Sequence, residues 1–159
     1  MDSTDIKILD YLQSDATMTA KELAAKLSLS PTPVYDRIRK LEKAGIIKNY
    51  VALLDAEILN QGLIVLVNLS MKDHQNDARK KLVQKLLTYS EIIELYHTSG
   101  AFDFVVKARF VDIKQYKDFL VNRISSLENI SNIESQIVLE EIKYVTTINL
   151  KIEAEKLKR

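Results

Sequence analysis

The sequence predicts an α+β protein in two parts, an N-terminal winged helix-turn-helix and a C-terminal ferredoxin-like βαββαβ domain. Three observations predict it. Thr19–Lys48 carries, in order, the signals of two short capped helices and a chain reversal. From Leu63 onward the apolar period switches between two and about 3.6, in the order strand, helix, strand, strand, helix, strand. Between these regions Asn60-Gln61-Gly62 is a turn signal that reads as a boundary. The expected limits are 1–50 for the first domain, 51–62 for a linker and 63–159 for the second domain.

Asp2 to Gln13 is the opening helix, with Ser3 or Thr4 as its cap and Ile6, Leu9 and Leu12 on one face. Acidic residues in its first turn suit the positive end of the helix dipole. After the connection Ser14–Met18, Thr19 and Glu22 form a T-x-x-E capping box, and Leu23, Ala24 and Leu27 give the second helix its apolar face. Ser28-Leu29-Ser30 turns the chain. Ser30 is a good N-cap and Pro31 suits the first helical position, where a missing N–H costs nothing. Val34, Ile38 and Leu41 face inward on the third helix, and Ala44-Gly45 ends it, with Gly45 able to turn left-handed.

On a helical wheel Thr32, Asp36, Arg39, Lys40 and Lys43 lie opposite that apolar stripe, with Tyr35 and Arg37 on its flanks. A short helix that presents hydroxyl and cationic groups outward suits the major groove of DNA. The candidate DNA-contact set is therefore Ser30, Thr32, Pro33, Tyr35, Asp36, Arg37, Arg39, Lys40 and Lys43. Charge alone favours an ordinary amphipathic hairpin with a solvated face. The succession of cap, tight turn, Ser-Pro start and terminal Gly favours the DNA-reading motif. Asp36 could accept from a cytosine amino group, but pairing with Arg39 or Lys40 is the simpler expectation. Ile46 to Leu54 is β-leaning and supplies the expected wing.

In the second part, Leu63 to Met71 alternates as a strand, and Ala78, Leu82, Leu86 and Tyr89 mark a helix after a polar break at His74–Asp77. Glu91–Thr98 and Phe102–Phe110 are the next strands, joined by a reversal at Ser99-Gly100-Ala101. Asp112 caps a helix that turns Tyr116, Phe119, Leu120, Ile124 and Leu127 inward, and Ile133–Ile142 is the fourth strand. Tyr144–Leu150 is again β-leaning, and the Lys/Glu-rich end is a last helical turn or frayed. Both helices belong on one sheet face. The other face mixes Ile64 and Leu66 with Asn68, Ser70, Lys107, Gln136 and Val138, a half-apolar surface that invites a second copy.

Composition limits the chemistry. The 159 residues carry a net charge of +1 and no cysteine, which removes disulfides and thiolate catalysis. The longest apolar run, Leu63–Val67, falls far short of the ~20 residues of a membrane span, and no signal peptide is visible, so the cytoplasm is the expected location. Residues 1–50 hold eight Lys/Arg against seven Asp/Glu, while 51–159 hold fifteen of each. Yet Arg37–Lys48 holds five bases against Glu42 alone. So small a basic patch predicts weak binding by one copy and a need for multiplication by symmetry. His74 stands in a polar turn and His97 on a strand without a second ligand, so neither points to a metal or to catalysis. No nucleophile–base pair or phosphate loop supports an enzyme.

One loop could hold a ligand. In Thr98-Ser99-Gly100-Ala101-Phe102-Asp103-Phe104, exposed N–H groups around Gly100 suit a carboxylate, and Asp103 suits an ammonium group. Together these needs describe a free α-amino acid. The plainer reading is a hairpin in which Gly100 supplies a positive φ and Asp103 bonds the turn. From spacing alone the plain reading is stronger.

With these motifs laid out, the chain resembles the leucine-responsive regulatory protein/AsnC family of transcription regulators over almost its whole length. The resemblance rests on D-x-x-D-x-K-I-L (Asp2–Leu9), E-L-A (Glu22–Ala24) and L-S-x-x-P-V-x-x-R-I-x-x-L-E-x-x-G-I-I (Leu29–Ile47). Tyr50, Ala52, Leu54 and Asp55, then S-G-x-x-D-F (Ser99–Phe104) and V-L-E-E-I-K (Val138–Lys143), extend it. It implies a DNA-binding regulator that dimerises and assembles further, commonly to an octamer, with no enzymatic activity and no cofactor. It also implies an amino-acid effector held between dimers by Ser99, Gly100, Ala101, Phe102, Asp103 and Phe104, with Ser135 and Gln136 from a nearby strand. Phe104 stands where the family often has Tyr, and Ser135 where Thr is expected, which bears on side-chain preference. The competing function is a nucleoid-like architectural protein with little sequence preference and no effector.

Overall fold

The computed structural model describes residues 1–150. They form two compact units, one of Met1–Leu53 joined by the stretch from Lys143, the other of Leu54–Ile142.

The first unit holds helices α1 (Ser3–Ser14), α2 (Ala20–Leu27) and α3 (Pro31–Lys43). The cap of α1 is Asp2, not Ser3 or Thr4. Its carboxylate accepts from the N–H groups of Thr4 and Asp5, and the Asp5 carboxylate returns to the Asp2 N–H at 2.8 Å. The D-x-x-D spacing is thus a capping box with a second acid in the N3 position. Thr19 and Glu22 form the expected box on α2, and Ser28 closes that helix in the left-handed conformation at φ 55°. Ser30 sits at the N-cap of α3, but its side chain makes no capping bond. Gly45 is left-handed at φ +69°, as a chain reversal after α3 requires. Ile8, Leu9, Leu12, Leu23, Ala24, Val34 and Leu41 make the core.

Two stretches expected to be β-structure are not. Ile46–Leu54, the wing, and Tyr144–Leu150 take no strand, and no described strand pairs with either. Strand propensity needs a hydrogen-bonding neighbour to become structure. By its contacts the second stretch groups with the first unit. Leu150 packs on the helical core, and the Gln13 amide donates to the Ile148 carbonyl (3.2 Å) and accepts from the Ile148 N–H (2.6 Å). The Lys/Glu-rich end lies outside the described residues.

In the second unit, β1 (Leu63–Met71), α4 (Asn76–Leu86), β2 (Ile92–His97), β3 (Phe104–Phe110), α5 (Ile113–Phe119) and β4 (Ile130–Ile137) follow in βαββαβ order. A π turn, Leu120–Ile124, continues α5. The antiparallel sheet is ordered β2-β3-β1-β4, the ferredoxin-like arrangement. Val65, Val67 and Leu69 of β1 meet Phe104, Val106, Ala108 and Phe110 of β3 on the buried face, beneath Leu82, Leu86, Tyr116, Phe119 and Ile124. β4 starts and ends earlier than expected. Beyond it the chain brings the Glu141 carboxylate to Lys107 (3.2 Å) and Arg109 (3.4 Å), so the open sheet face is partly occupied by its own chain.

Candidate nucleic-acid interface and effector loop

The exposed side of α3 is built by its buried side. Val34 and Leu41 are sealed in the core, which turns Thr32, Pro33, Tyr35, Asp36, Arg39, Lys40 and Lys43 to solvent with Ser30 at the helix start. The Arg39 guanidinium lies 5.8 Å from the centre of the Tyr35 ring, a cation–π contact that stiffens both side chains. Asp36 has no ion pair with Arg39, Lys40 or any other described cation, contrary to the expected pairing. It stands exposed on the same side as the cations.

Arg37 behaves differently. Its Nη1 contacts Asp2 Oδ2 at 2.5 Å and Asp5 Oδ1 at 2.8 Å, so the guanidinium points into the head of α1. Donation to the Asp5 and Asp2 carboxylates raises the Arg37 pKa. The Asp5 N–H and Arg37 hold the Asp2 carboxyl below its ordinary value. The wheel angle of Arg37 did not reveal this, because a long side chain reaches a neighbouring helix that the wheel omits.

The loop between β2 and β3 is closed at its base. Thr98 donates its N–H to the Asp103 carbonyl (2.9 Å) and its hydroxyl to the Phe102 carbonyl (2.6 Å). Ser99, Gly100 and Ala101 project beyond that base, exposed, and no described residue accepts from their N–H groups. Gly100 is not left-handed, and a Cβ there would meet open space. Its conformation therefore does not explain the glycine; its bareness leaves the backbone open to approach.

Asp103 is a carboxylate with partners of its own. Oδ2 accepts from the Met71 N–H at 2.7 Å, and Oδ1 lies 3.2 Å from His74 Nε2. Neither plain hairpin bonding nor a bare ammonium acceptor describes it, since its contacts come from the far end of β1. Phe104 is buried in the core with its ring 5.2 Å from His97, so its side chain is not offered to the loop. Phe102 is half-buried. Ser135 and Gln136 pair with Val67 and Leu66 and so point to opposite faces of edge strand β4. They stand two strand spacings, roughly 10 Å, from β3, and one copy does not bring them to the loop.

Matches to known proteins fall on the same two regions. A model described as winged helix-turn-helix DNA-binding matches residues 1–48, and one described as Lrp/AsnC ligand binding domain matches residues 64–148. The chain belongs to the Lrp/AsnC family. A leucine-responsive regulatory protein of Haemophilus influenzae is 33% identical, over 95% of this chain and 91% of that one. A glutamate uptake regulatory protein of Zymomonas mobilis is 35% identical, over 100% and 96%. Among solved structures, a transcriptional regulator of Neisseria meningitidis in complex with L-Met has a TM-score of 0.92 at 33% identity, covering 96% of this chain and 99% of that one. An AsnC family regulator of Agrobacterium tumefaciens has a TM-score of 0.91 at 35% identity, with the same coverage. As an Lrp/AsnC protein the chain is a DNA-binding transcription regulator and not an enzyme. No described helix is long and apolar enough to cross a membrane, and no described cluster of His, Asp and Glu could hold a metal ion.

Proposed function

We propose that this Lrp/AsnC regulator reads operator DNA with the outer face of α3 and responds to a free amino acid held at the loop 99–103. Thr32, Tyr35, Asp36, Arg39, Lys40 and Lys43 face the groove, with Ser30 and Pro33 at the helix start beside the phosphates. The observation that carries the effector half is the set of open N–H groups at Ser99, Gly100 and Ala101 adjoining the Asp103 carboxylate. Those N–H groups suit an α-carboxylate. The ammonium group approaches Asp103 Oδ1, which among the described residues pairs with exposed His74. L-Met bound to the Neisseria relative supports an amino-acid class.

Ser135 and Gln136 lie away from the loop within one chain, so they complete the site only from another copy. That geometry favours an effector bound between dimers, in a dimer that assembles to a higher oligomer such as an octamer. The large exposures of Leu54, Ile58, Leu139 and Ile142 agree with burial in such an assembly. Such a regulator works in the cytoplasm, where the DNA is.

Two measurements test the reading. Anisotropy titration against a duplex enriched by the protein from a random-sequence pool should show preference over unselected DNA at physiological salt; equal binding defeats the operator claim. A thermal-shift screen of the twenty amino acids should give a rise from at least one, because a ligand of the native state raises its melting temperature. A flat screen defeats the effector claim and leaves an architectural protein.

A further inference from the structure

The cation nearest the centre of α3 is the one the chain has already engaged. Arg37 is placed between two carboxylates, at 2.5 and 2.8 Å, and both belong to the capping box that starts α1. Asp5 is 14% exposed at its side chain, and Arg37 33%, while Asp2 remains at 52%. Arg39, Lys40 and Lys43 have no ion-pair partner among the described residues and stand exposed. Neutralising a phosphate would require Arg37 to leave two charge-assisted bonds, and would leave Asp2 and Asp5 without their cation.

We propose that Arg37 is a positioning residue: it fixes the pose of α3 through Asp2 and Asp5 and does not neutralise a phosphate. One guanidinium thereby joins the reading helix to the N-cap of α1, 32 and 35 residues away in the chain. The capping box holds the two acids in place for Arg37, and Arg37 holds α3 at the angle from which Arg39 and Lys40 reach DNA. This inference rests on α3 being the reading helix.

The two ideas separate in one experiment on the full-length chain. Binding to the enriched duplex and to unselected DNA is measured across a salt series for the wild type, Arg39→Ala, Arg37→Ala, Arg37→Lys and Asp5→Asn. Loss of a phosphate contact lowers the slope of log K against log salt by about 0.9 per contact. Arg39→Ala should show that drop. Arg37→Ala should keep the wild-type slope, lose about tenfold in affinity for the enriched duplex and lose preference over unselected DNA. Asp5→Asn is the sharper arm. It removes a negative charge, so electrostatics alone would tighten binding, whereas loss of positioning weakens binding to the enriched duplex and its preference.

Circular dichroism at the assay temperature checks folding; if Arg37→Ala is unfolded, Arg37→Lys and Asp5→Asn decide the matter. Both bonds leave one nitrogen, Nη1, and the lysine ammonium stands one bond nearer its own backbone, so Arg37→Lys keeps the charge, falls short of the two carboxylates as placed and should reproduce the loss of preference at unchanged slope. A slope reduced by about one in Arg37→Ala, or tighter binding by Asp5→Asn with preference intact, overturns the proposal. No preference in the wild type instead defeats the reading of α3 itself.

Discussion

The first unit closes its core with aliphatic side chains and one alanine, Ile8, Leu9, Leu12, Leu23, Ala24, Val34 and Leu41, whereas the second packs Phe104, Phe110, Tyr116 and Phe119 among Val, Leu and Ile. The Phe110 ring lies tilted against both Tyr116 (5.4 Å) and Phe119 (5.2 Å). The polar contacts differ as well. In the first unit carboxylates serve helix starts and turns: Asp2, Asp15 and Glu22 all titrate below their ordinary values through such bonds. In the second, besides caps such as Asp112, carboxylates also make long-range ties: Glu141 to Lys107 and Arg109 of β3, Glu91 to Arg123 of the π turn, and Asp103 to the Met71 N–H at the end of β1. The small helical unit held by caps is expected to be the less stable body, and the unit with the broad aromatic core the more stable. The lesson is a division of labour: the unit that meets DNA is the one with less apolar area to hold it together.

Calorimetry can break that comparison most directly. Two transitions are expected, the lower from the first unit. Phe110→Ala should remove about 3–5 kcal/mol from the upper transition, and Leu23→Ala about 2–5 kcal/mol from the lower, each leaving the other in place. A single transition moved by both variants would mean that the units unfold as one.

The effector loop supplies the next test. An amino acid at a hundred times its dissociation constant should stabilise the wild type by about 2.7 kcal/mol. Asp103→Ala should abolish that rise and leave DNA affinity largely unchanged. Because Asp103 also holds the Met71 N–H, the variant should also unfold more readily without ligand, in the upper transition only. A full ligand response from the variant would remove Asp103 from the site. Smaller still, Gln13→Ala deletes both bonds to Ile148 and should lower only the first transition, by about 1 kcal/mol.

The pH dependence is the smallest effect and should split by unit. Asp2 is depressed by the Asp5 N–H and by Arg37, so its contribution is present above the ordinary carboxylate range and is lost as pH falls through the folded value. Glu22, held by the Thr19 N–H and hydroxyl, has the same sign. The lower transition should therefore drop between about pH 5 and pH 2. Lys107 loses by desolvation but gains more from Glu141 and Glu94 together, which leaves its pKa raised. Its contribution is present below the ordinary lysine value and is lost as pH rises through the folded one, so the upper transition should soften above about pH 10. Melting curves across pH read both.

What could be read in the residues was what neighbours in sequence decide. Thr19 with Glu22, Gly45 after Ala44, and the alternation Phe104, Val106, Ala108, Phe110 each carry their outcome within a few positions. The D-x-x-D box at Asp2 and Asp5 was equally local and was missed, because serine and threonine beside it are the more usual caps. The rest depended on distant partners. Ile46–Leu54 had the composition of a strand but no described strand beside it. Arg37 and Asp103 stood where a wheel and a turn pattern expected open ligands, yet each meets a group 32 or more positions away. Ser135 and Gln136 are adjacent in the chain, and pleating sends them to opposite faces.

The clasp of Gln13 on Ile148 has a consequence for the order in which the protein comes into being. Its two ends are 135 residues apart, and the whole of the second unit is synthesised between them. At about 5–20 residues per second, α1 leaves the ribosome roughly 7–27 s before the strand of chain that completes its surface. The reading half, first to be made, therefore waits for its last piece until the whole of the second unit has been synthesised.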